Sequence, residues 1–190
     1  MVSLFVVLIT VSIVSVNMEC TAPPSLVQIP FVHPSTMILS GPTGCGKTRF
    51  VTRLLAENMF VEVETGLVPN RIIWMYGAEQ EDLFRQLAAM RVELFSGFNR
   101  EILDGLDTNE RNLIVLDDLM TEMKNSEDLE KLFTKGSHHK NLTVIYLVQN
   151  LFEKGKATVS VSRNAHYIVL FKNPRNQVEV NTLASHGGRE

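Results

Sequence analysis

Cysteine, tryptophan, proline and glycine are all scarce in this chain of 190 residues, which contains 2 Cys, 1 Trp, 7 Pro and 11 Gly. Two cysteines cannot build a disulfide scaffold, and so little glycine and proline excludes collagen-like and low-complexity chains. Only one long apolar run is present, which excludes a multispan membrane protein. A hydrophobic fraction of 45% with 21% charged residues instead indicates one globular domain with a sizeable core.

An excess of one charge sign is also missing, but the formal net charge of −3 hides an uneven distribution. Residues 1–130 carry 9 Lys and Arg against 18 Asp and Glu, whereas residues 131–175 carry 8 Lys and Arg against a single acid, Glu153. A basic segment on an otherwise acidic protein indicates a polyanionic partner. Scattered, solvated lysines are the alternative interpretation.

The apolar run covers residues 1–16, and the first charge after it is Glu19. Four interpretations compete: a membrane anchor, a signal peptide, a buried strand, or an extension outside the domain with a true start at Met18. The run is slightly short for a membrane helix, lacks a basic flank and a good cleavage site, and is unusually long for a strand. We expect a peripheral extension at residues 1–17, with any membrane contact limited to residues 1–16.

Short apolar runs alternate with helical patterns along the rest of the chain, which is typical of alternating strands and helices. The strands are predicted at residues 37–40, 71–76, 92–95, 112–116, 143–148, 167–171 and 178–183, and the helices at 47–58, 81–89, 101–106 and after an N-cap at Asn125. Because the strands are apolar throughout, we predict a mostly parallel sheet covered on both faces, an α/β/α sandwich. The expected division is a linker at 18–34, one domain at 35–185 and a tail at 186–190.

One eight-residue motif carries the strongest chemical signal. Residues 41–48 read GPTGCGKT and satisfy G-x-x-x-x-G-K-[ST] between a predicted strand and a predicted helix. In such a P-loop the glycines allow a tight turn around phosphate, the lysine neutralises the β- and γ-phosphates, and the hydroxyl binds Mg²⁺. The predicted nucleotide-binding residues are Gly41, Pro42, Thr43, Gly44, Cys45, Gly46, Lys47 and Thr48. A glycine-rich turn without a ligand is the alternative.

Acidic side chains follow the predicted strand at 112–116. Asp117 and Asp118 come 70 residues after Lys47, a separation that two or three intervening strand–helix units would produce. Because Mg²⁺ needs a second protein oxygen, we predict that Asp117 is the metal-linked carboxylate of a Walker B strand and that Asp118 polarises the attacking water. For an isolated pair of acids, a helix cap or a turn is the alternative.

Gln149 ends the predicted strand at 143–148. At that end of a parallel sheet, a polar side chain can lie beside the γ-phosphate and report its presence. An ordinary turn residue is the alternative, and Asn150 is a less favoured substitute. His138 and His139 have no Cys or acid partner at ligand spacing, so we predict no metal site there. Cys20 and Cys45 are interpreted as free thiols, which indicates a reducing compartment.

Five segments together resemble the FtsK/HerA-type packaging ATPases of large DNA viruses and of Polinton (Maverick) transposons. They read HPSTMILS, GPTGCGKT, LIVLDDL, HHKNLTVIYLVQNLFEKGK and NAHYIVLFKNPRN. The resemblance covers about residues 31–183, and VQNLF-x-KGK and HYIVLFKNPR are its most specific parts. It implies a RecA/ASCE-like fold and an ATP-driven ring that threads double-stranded DNA into a capsid.

By that resemblance Lys47 and Thr48 are the Walker A pair, Asp117 and Asp118 the Walker B acids, and Gln149 the sensor, with ATP and Mg²⁺ as cofactors. The segment after KGK departs from the pattern. It reads ATVSVSRN, and its one arginine, Arg163, lies near the end instead of early, so either Arg163 reaches a neighbouring subunit's nucleotide or hydrolysis is weakened.

The expected function is therefore an ATPase that translocates DNA in the cytoplasm, nucleus or virion factory, unless residues 1–17 are a signal or anchor. The basic residues would contact phosphates on the inner face of a ring: Lys131, Lys135, Lys140, Lys154, Lys156, Arg163, Lys172 and Arg175. A catalytically weak or vestigial transposon-derived nucleotide-binding module is the alternative. A small-molecule kinase ranks lowest, because the sequence shows no arginine-rich lid.

Overall fold

An eight-stranded sheet forms the centre of the protein in the computed structural model, which describes residues 4–8, 13–14, 30–119, 123, 127–136, 140–151 and 161–171. Its strands are β1 (Leu4–Leu8), β2 (Ile13–Val14), β4 (Thr36–Ser40), β6 (Arg71–Tyr76), β7 (Glu93–Ser96), β8 (Asn112–Asp117), β9 (Leu142–Val148) and β10 (Tyr167–Phe171). The order is β2-β1-β10-β4-β9-β8-β6-β7. All pairs from β10 to β7 are parallel, whereas β1 and β2 join antiparallel at the β10 edge.

Helices cover both faces of this sheet. They are α1 (Lys47–Ala56), α2 (Glu81–Ala89), α3 (Arg100–Asp104) and α4 (Glu127–Lys131), which continues into a π-helical turn at Leu132–Gly136. Successive residues of a strand point to opposite faces, so Leu113 and Val115 pack with α1 and α2 while Ile114 and Leu116 pack with α3 and α4. The predicted three-layer α/β fold with a mostly parallel sheet is confirmed.

Several predicted elements agree closely with the structure. The strands at 71–76 and 167–171 and the helix at 81–89 have the predicted bounds. The central strand β9 is fully buried, which explains why its sequence is apolar without alternation. The predicted strand at 178–183 and the N-cap at Asn125 lie outside the described residues.

The structure differs from the sequence prediction before residue 35. Leu4–Leu8 is a strand of the main sheet and pairs with β10 from Leu4↔Phe171 to Leu8↔Tyr167, so this part of the apolar run is not an extension outside the domain. The expected linker also contains a strand, β3 (Phe31–His33), which pairs in parallel with β5 (Phe60–Glu62) in a second sheet. The rings of Phe31 and Phe60 stack at a centroid distance of 5.5 Å within this sheet, and the Phe31 ring also meets that of Tyr167 in β10 at 5.0 Å, which anchors the second sheet to the main one.

None of the helices in the described ranges has the length and apolar character needed to span a membrane.

The position of β9 decides which residues meet at the site. It lies between β4 and β8, with Ser40 opposite Val148 and Asp117 opposite Leu147. The carboxyl ends of the three strands are therefore level with one another. The residues that follow them, beginning at Gly41, Asp118 and Gln149, emerge side by side at one edge of the sheet.

Candidate nucleotide site

A cavity of about 590 Å³ opens at the carboxyl ends of β4, β8 and β9. Eight of the residues predicted from the sequence line it: Thr43, Gly44, Gly46, Lys47, Thr48, Asp117, Asp118 and Gln149. Crevices at this end of an open parallel sheet are where α/β proteins bind their ligands.

The P-loop backbone turns into α1 at Gly46. This residue has a φ of 100°, a left-handed conformation that glycine adopts without the strain a side chain would bring. It is also the N-cap of α1, and no side chain caps the first turn of that helix, which contains no acidic residue. The backbone N–H groups and the positive end of the helix dipole thus face the cavity, where they favour an anion such as phosphate.

The Lys47 side chain folds back onto the loop. Its Nζ donates hydrogen bonds to the carbonyl oxygens of Gly41 at 2.6 Å and of Pro42 at 3.1 Å. Neither Gly41 nor Pro42 lines the cavity, nor does Cys45, a half-buried free thiol that packs against the core beneath the loop. These three residues shape the loop, while Lys47 supplies its positive charge.

Asp117 is the buried acid of the site, with 6% of its surface exposed. The pKa of its carboxyl is raised from 3.8 to about 6. Burial is the larger cause, and the nearby negative charge of Asp118 is the second. Lys47 and a hydrogen bond from Thr48 act in the opposite direction, with Thr48 Oγ1 at 3.5 Å from Asp117 Oδ2. The indole N–H of Trp74 also favours the ionised form, although it makes no hydrogen bond of normal geometry.

This arrangement fits a divalent cation. A buried carboxylate whose pKa is raised has too little positive charge around it, and a bound cation would supply what is missing. Thr48 and Asp117 present two hard oxygen donors toward each other, the ligand type that Mg²⁺ prefers. Among the described residues, no group of three or more His, Cys, Asp or Glu side chains forms a separate metal site.

Asp118 and Gln149 form the outer pair of the site. The backbone of Asp118 is left-handed, with a φ of 55°, and its side chain is exposed to the cavity. Gln149 Nε2 donates a hydrogen bond to Asp118 Oδ1 at 3.4 Å, close to the limit for such a contact. The predicted water-polarising acid and the predicted sensor are therefore neighbours.

Sequence reasoning missed one wall of the cavity. Arg49 of α1, the α2 N-cap Gln80, and Leu83 and Gln86 of α2 also line it. The helical pattern predicted α2 itself, but it carried no signal that α2 borders the P-loop. The position of α2 depends on the pairing of β6 with β8. Because β6 ends next to Asp117, the helix that follows it begins beside Asp118.

Arg163 does not join its own chain's site. It is exposed and precedes β10, where the next residue, Asn164, accepts a hydrogen bond from Thr36 at 3.0 Å. Thr36 begins β4, so Arg163 lies at the amino end of the sheet, opposite the cavity.

The predicted basic surface consists of eight residues. The structure describes the side chains of three of them, Lys131, Lys140 and Arg163. Lys131 pairs with Glu127 at 3.2 Å, and Lys140 pairs with Asp104 at 3.6 Å. Lys140 precedes β9, so it shares the amino end of the sheet with Arg163.

Comparisons with known proteins identify the fold. No protein-family model and no curated protein sequence matches the chain. Among solved structures, the flagellar accessory protein FlaH from Methanocaldococcus jannaschii is similar with a TM-score of 0.52 and 12% identity, over 74% of this chain and 72% of that one. The cytoplasmic domain of EssC is similar with a TM-score of 0.56 and 13% identity, over 83% of this chain but 34% of that one. At these identities the likeness shows the α/β fold with its mostly parallel sheet, and the packaging-ATPase resemblance stays a prediction.

Proposed function

We propose that this protein binds and hydrolyses ATP and uses the hydrolysis to move double-stranded DNA. The observation that carries the ATPase proposal is the single cavity that joins the uncapped P-loop helix, the Thr48 and Asp117 oxygens, and the pair formed by Asp118 and Gln149. Each part matches one requirement of phosphoryl transfer, namely anion binding, cation binding and orientation of the attacking water.

Binding begins at the P-loop. Lys47 exchanges the Gly41 and Pro42 carbonyls for phosphate oxygens, a change that is favourable because a phosphate carries the full negative charge that a carbonyl lacks. Thr48 and Asp117 would hold the cation. When bound, Mg²⁺ supplies charge neutralisation on the phosphate oxygens. Holding it requires the ionised form of Asp117, so binding of the nucleotide with its cation is expected to strengthen as pH rises through about 6.

Asp118 accepts a proton from the attacking water. Its carboxylate faces the cavity, and the Gln149 amide restrains it from the neighbouring strand. A short aspartate must be held accurately to act at a distance of one water molecule, so the Gln149 contact and the local backbone matter for the rate.

The DNA part of the proposal rests on the resemblance over residues 31–183 and on the basic segment at 131–175. Lys131 is 62% exposed and its ion pair with Glu127 is a surface contact, which exchanges readily for a phosphate. A motor that passes any sequence needs phosphate contacts without base readout.

ATP turnover measured with and without double-stranded DNA tests this proposal. We expect DNA to raise kcat, and we expect the stimulation to weaken steeply between about 50 and 200 mM salt, since neutralised phosphates release counterions. Single-stranded DNA and the uncharged crowder polyethylene glycol are matched controls. If turnover at low salt is the same with and without DNA, the ATPase proposal stands and the DNA-translocation proposal is contradicted.

Arg163 is tested by mixing subunits. If it completes a neighbouring site, an Arg163→Ala subunit keeps its own P-loop and a Lys47→Ala subunit still offers its Arg163. Two inactive variants mixed together should then regain part of the activity, whereas Arg85→Ala, at an exposed arginine of α2, should be active alone. Mixtures without any recovery would exclude a role in trans.

A nucleotide-binding module without turnover is the second candidate. The observation that favours it is the cavity wall, in which Arg49 is the only arginine among the described residues. Calorimetric nucleotide affinity and phosphate release on the same sample separate the two candidates. Micromolar binding with no release, at concentrations where oligomers form, would support the module.

A further inference from the structure

We infer that Gly77 is a positioning residue for Asp118, an inference that rests on the proposed hydrolysis. Gly77 follows β6 directly, and β6 is the neighbour of β8 in the sheet. Its N–H donates a hydrogen bond to the Asp117 carbonyl at 2.9 Å, which continues the pairing of the two strands by one residue.

The chain after β8 passes across Gly77 at very short range. A Cβ built on Gly77 would lie 2.2 Å from the backbone oxygen of Asp118 and 3.1 Å from its carbonyl carbon. Carbon and oxygen atoms that are not bonded do not approach so closely, and the obstacle is backbone rather than a flexible side chain. Any other residue at position 77 would push the Asp118 peptide away.

The displaced peptide is the one that aims the Asp118 carboxylate. Asp118 is one of four residues other than glycine with positive φ in the described part of the chain, at 55°. Asn and Asp tolerate this conformation better than most residues, but it is held only where the surroundings determine it. The pairing to Gly77 on one side and the Gln149 contact on the other provide that restraint.

A glycine at position 77 therefore lets the Walker B strand end in a left-handed turn that directs Asp118 into the cavity. Asp117 precedes the turn and remains in the strand, opposite Tyr76. Movement of the Asp118 peptide should thus impair the water-activating step more than nucleotide binding.

Gly77→Ala tests this inference by separating kcat from affinity. We expect kcat for ATP to fall by about tenfold to a hundredfold, while the nucleotide dissociation constant changes by less than about threefold. Gly105→Ala is the matched control, because Gly105 ends α3 with a φ of −87° and a Cβ there meets its nearest atom, the Glu101 oxygen, at 3.3 Å. A Gly77→Ala protein with the wild-type kcat would overturn the inference, whereas a wild-type protein without turnover would overturn the proposed function instead.

A double-mutant cycle distinguishes positioning from general damage. In an Asp118→Asn background the carboxylate is already gone, so adding Gly77→Ala should leave the residual kcat within about twofold. A further loss as large as in the wild type would contradict action through Asp118.

If Gly77→Ala does not fold, its kcat cannot be measured, and the melting temperatures of nucleotide-free variants test the inference instead. Asp118→Gly gives this peptide freedom to move, so the double variant with Gly77→Ala should fold and melt within about 5 °C of Asp118→Gly alone. A double variant that stays unfolded would show that the critical contact of Gly77 lies elsewhere.

Discussion

Polar side chains gather at both ends of the central sheet, and the hydrogen bonds between side chains differ in length at the two ends. At the amino end, His33 Nδ1 lies 2.7 Å from Thr143 Oγ1, and His33 Nε2 lies 3.1 Å from Asn141 Oδ1. At the carboxyl end, the contacts from Thr48 to Asp117 and from Gln149 to Asp118 measure 3.5 and 3.4 Å.

The difference separates a structural polar cluster from the candidate nucleotide site. His33 is buried, with 1% of its surface exposed, and its two ring nitrogens are both within hydrogen-bond distance of oxygens, so the cluster joins β3 to the main sheet. Burial lowers the pKa of His33, which keeps the ring neutral. The contacts at the carboxyl end are longer, and the exposed Asp118 and Gln149 side chains remain accessible to a ligand.

Replacing Lys47 should have the largest effect on the carboxyl end. Lys47→Ala removes the charge that binds the phosphates, so we expect ATP turnover to fall by about a hundredfold or more. The melting temperature should change little, because the hydrogen bonds of Lys47 Nζ go to two loop carbonyls rather than to the core. Arg53→Ala, one and a half turns further along α1, is the charge-matched control. Turnover within about threefold of wild type would mean that the cavity is not the catalytic site.

Replacing Asp117 should sharpen the comparison through pH. Folding raises the pKa of this carboxyl from 3.8 to about 6, so it ionises less readily in the folded protein than in the unfolded chain. The free energy of unfolding therefore falls as pH rises across that interval. Asp117→Asn removes this loss and should raise the free energy of unfolding of the nucleotide-free protein by about 1 to 3 kcal/mol at pH 7.5.

Chemical denaturation at pH 5 and pH 7.5 measures this effect. At pH 5, which lies between the two pKa values, the variant should gain about half as much, and it should no longer bind nucleotide in a Mg²⁺-dependent way. Asp82→Asn is the control, since that exposed carboxylate of α2 lies outside the cavity and should leave stability nearly unchanged. A destabilised Asp117→Asn protein at pH 7.5 would show that the carboxylate is already well compensated.

Replacing His33 should have the opposite profile and the smallest effect on turnover. His33→Ala removes the hydrogen bonds to Thr143 and Asn141, which should cost about 1 to 3 kcal/mol of stability while kcat per folded molecule is unchanged. Because the folded pKa is lowered below 6.5, wild-type stability should also fall as pH drops through that value, and the variant should lose this component. Urea denaturation at pH 7.5 and 5.5 is the measurement, and equal slopes against pH in both proteins would argue against a neutral, buried His33.

Local pattern was enough to locate most of the main sheet and the centre of the site. The runs RIIWMY and YIVLF are long and apolar enough to be identified as strands, and the P-loop motif identifies its own chemistry. Parallel strands bring their carboxyl ends to one edge, so Asp117, Asp118 and Gln149 followed from their positions after strands.

Other features are invisible to such patterns. The strands β3 and β5 have three residues each, too few to show a period, and His33 lies in what reads as a proline-containing linker. Gln80 precedes α2 and Gln86 lies on its polar side. From sequence alone, a polar helix face that lines a cavity cannot be distinguished from one that faces solvent. Gly77 resembles any glycine after a strand until the path of Asp118 is known.

By itself, the sequence determined the parallel α/β class and predicted the P-loop and the acids that follow β8, because these depend on residues close together in the chain. Only the tertiary structure decided that β9 lies between β4 and β8, which brings Gln149 to Asp118, and that His33 closes on Thr143. Strand order and the pairing of buried polar groups depend on contacts between segments more than 30 residues apart, and these are selected by packing of the whole core rather than by any local pattern.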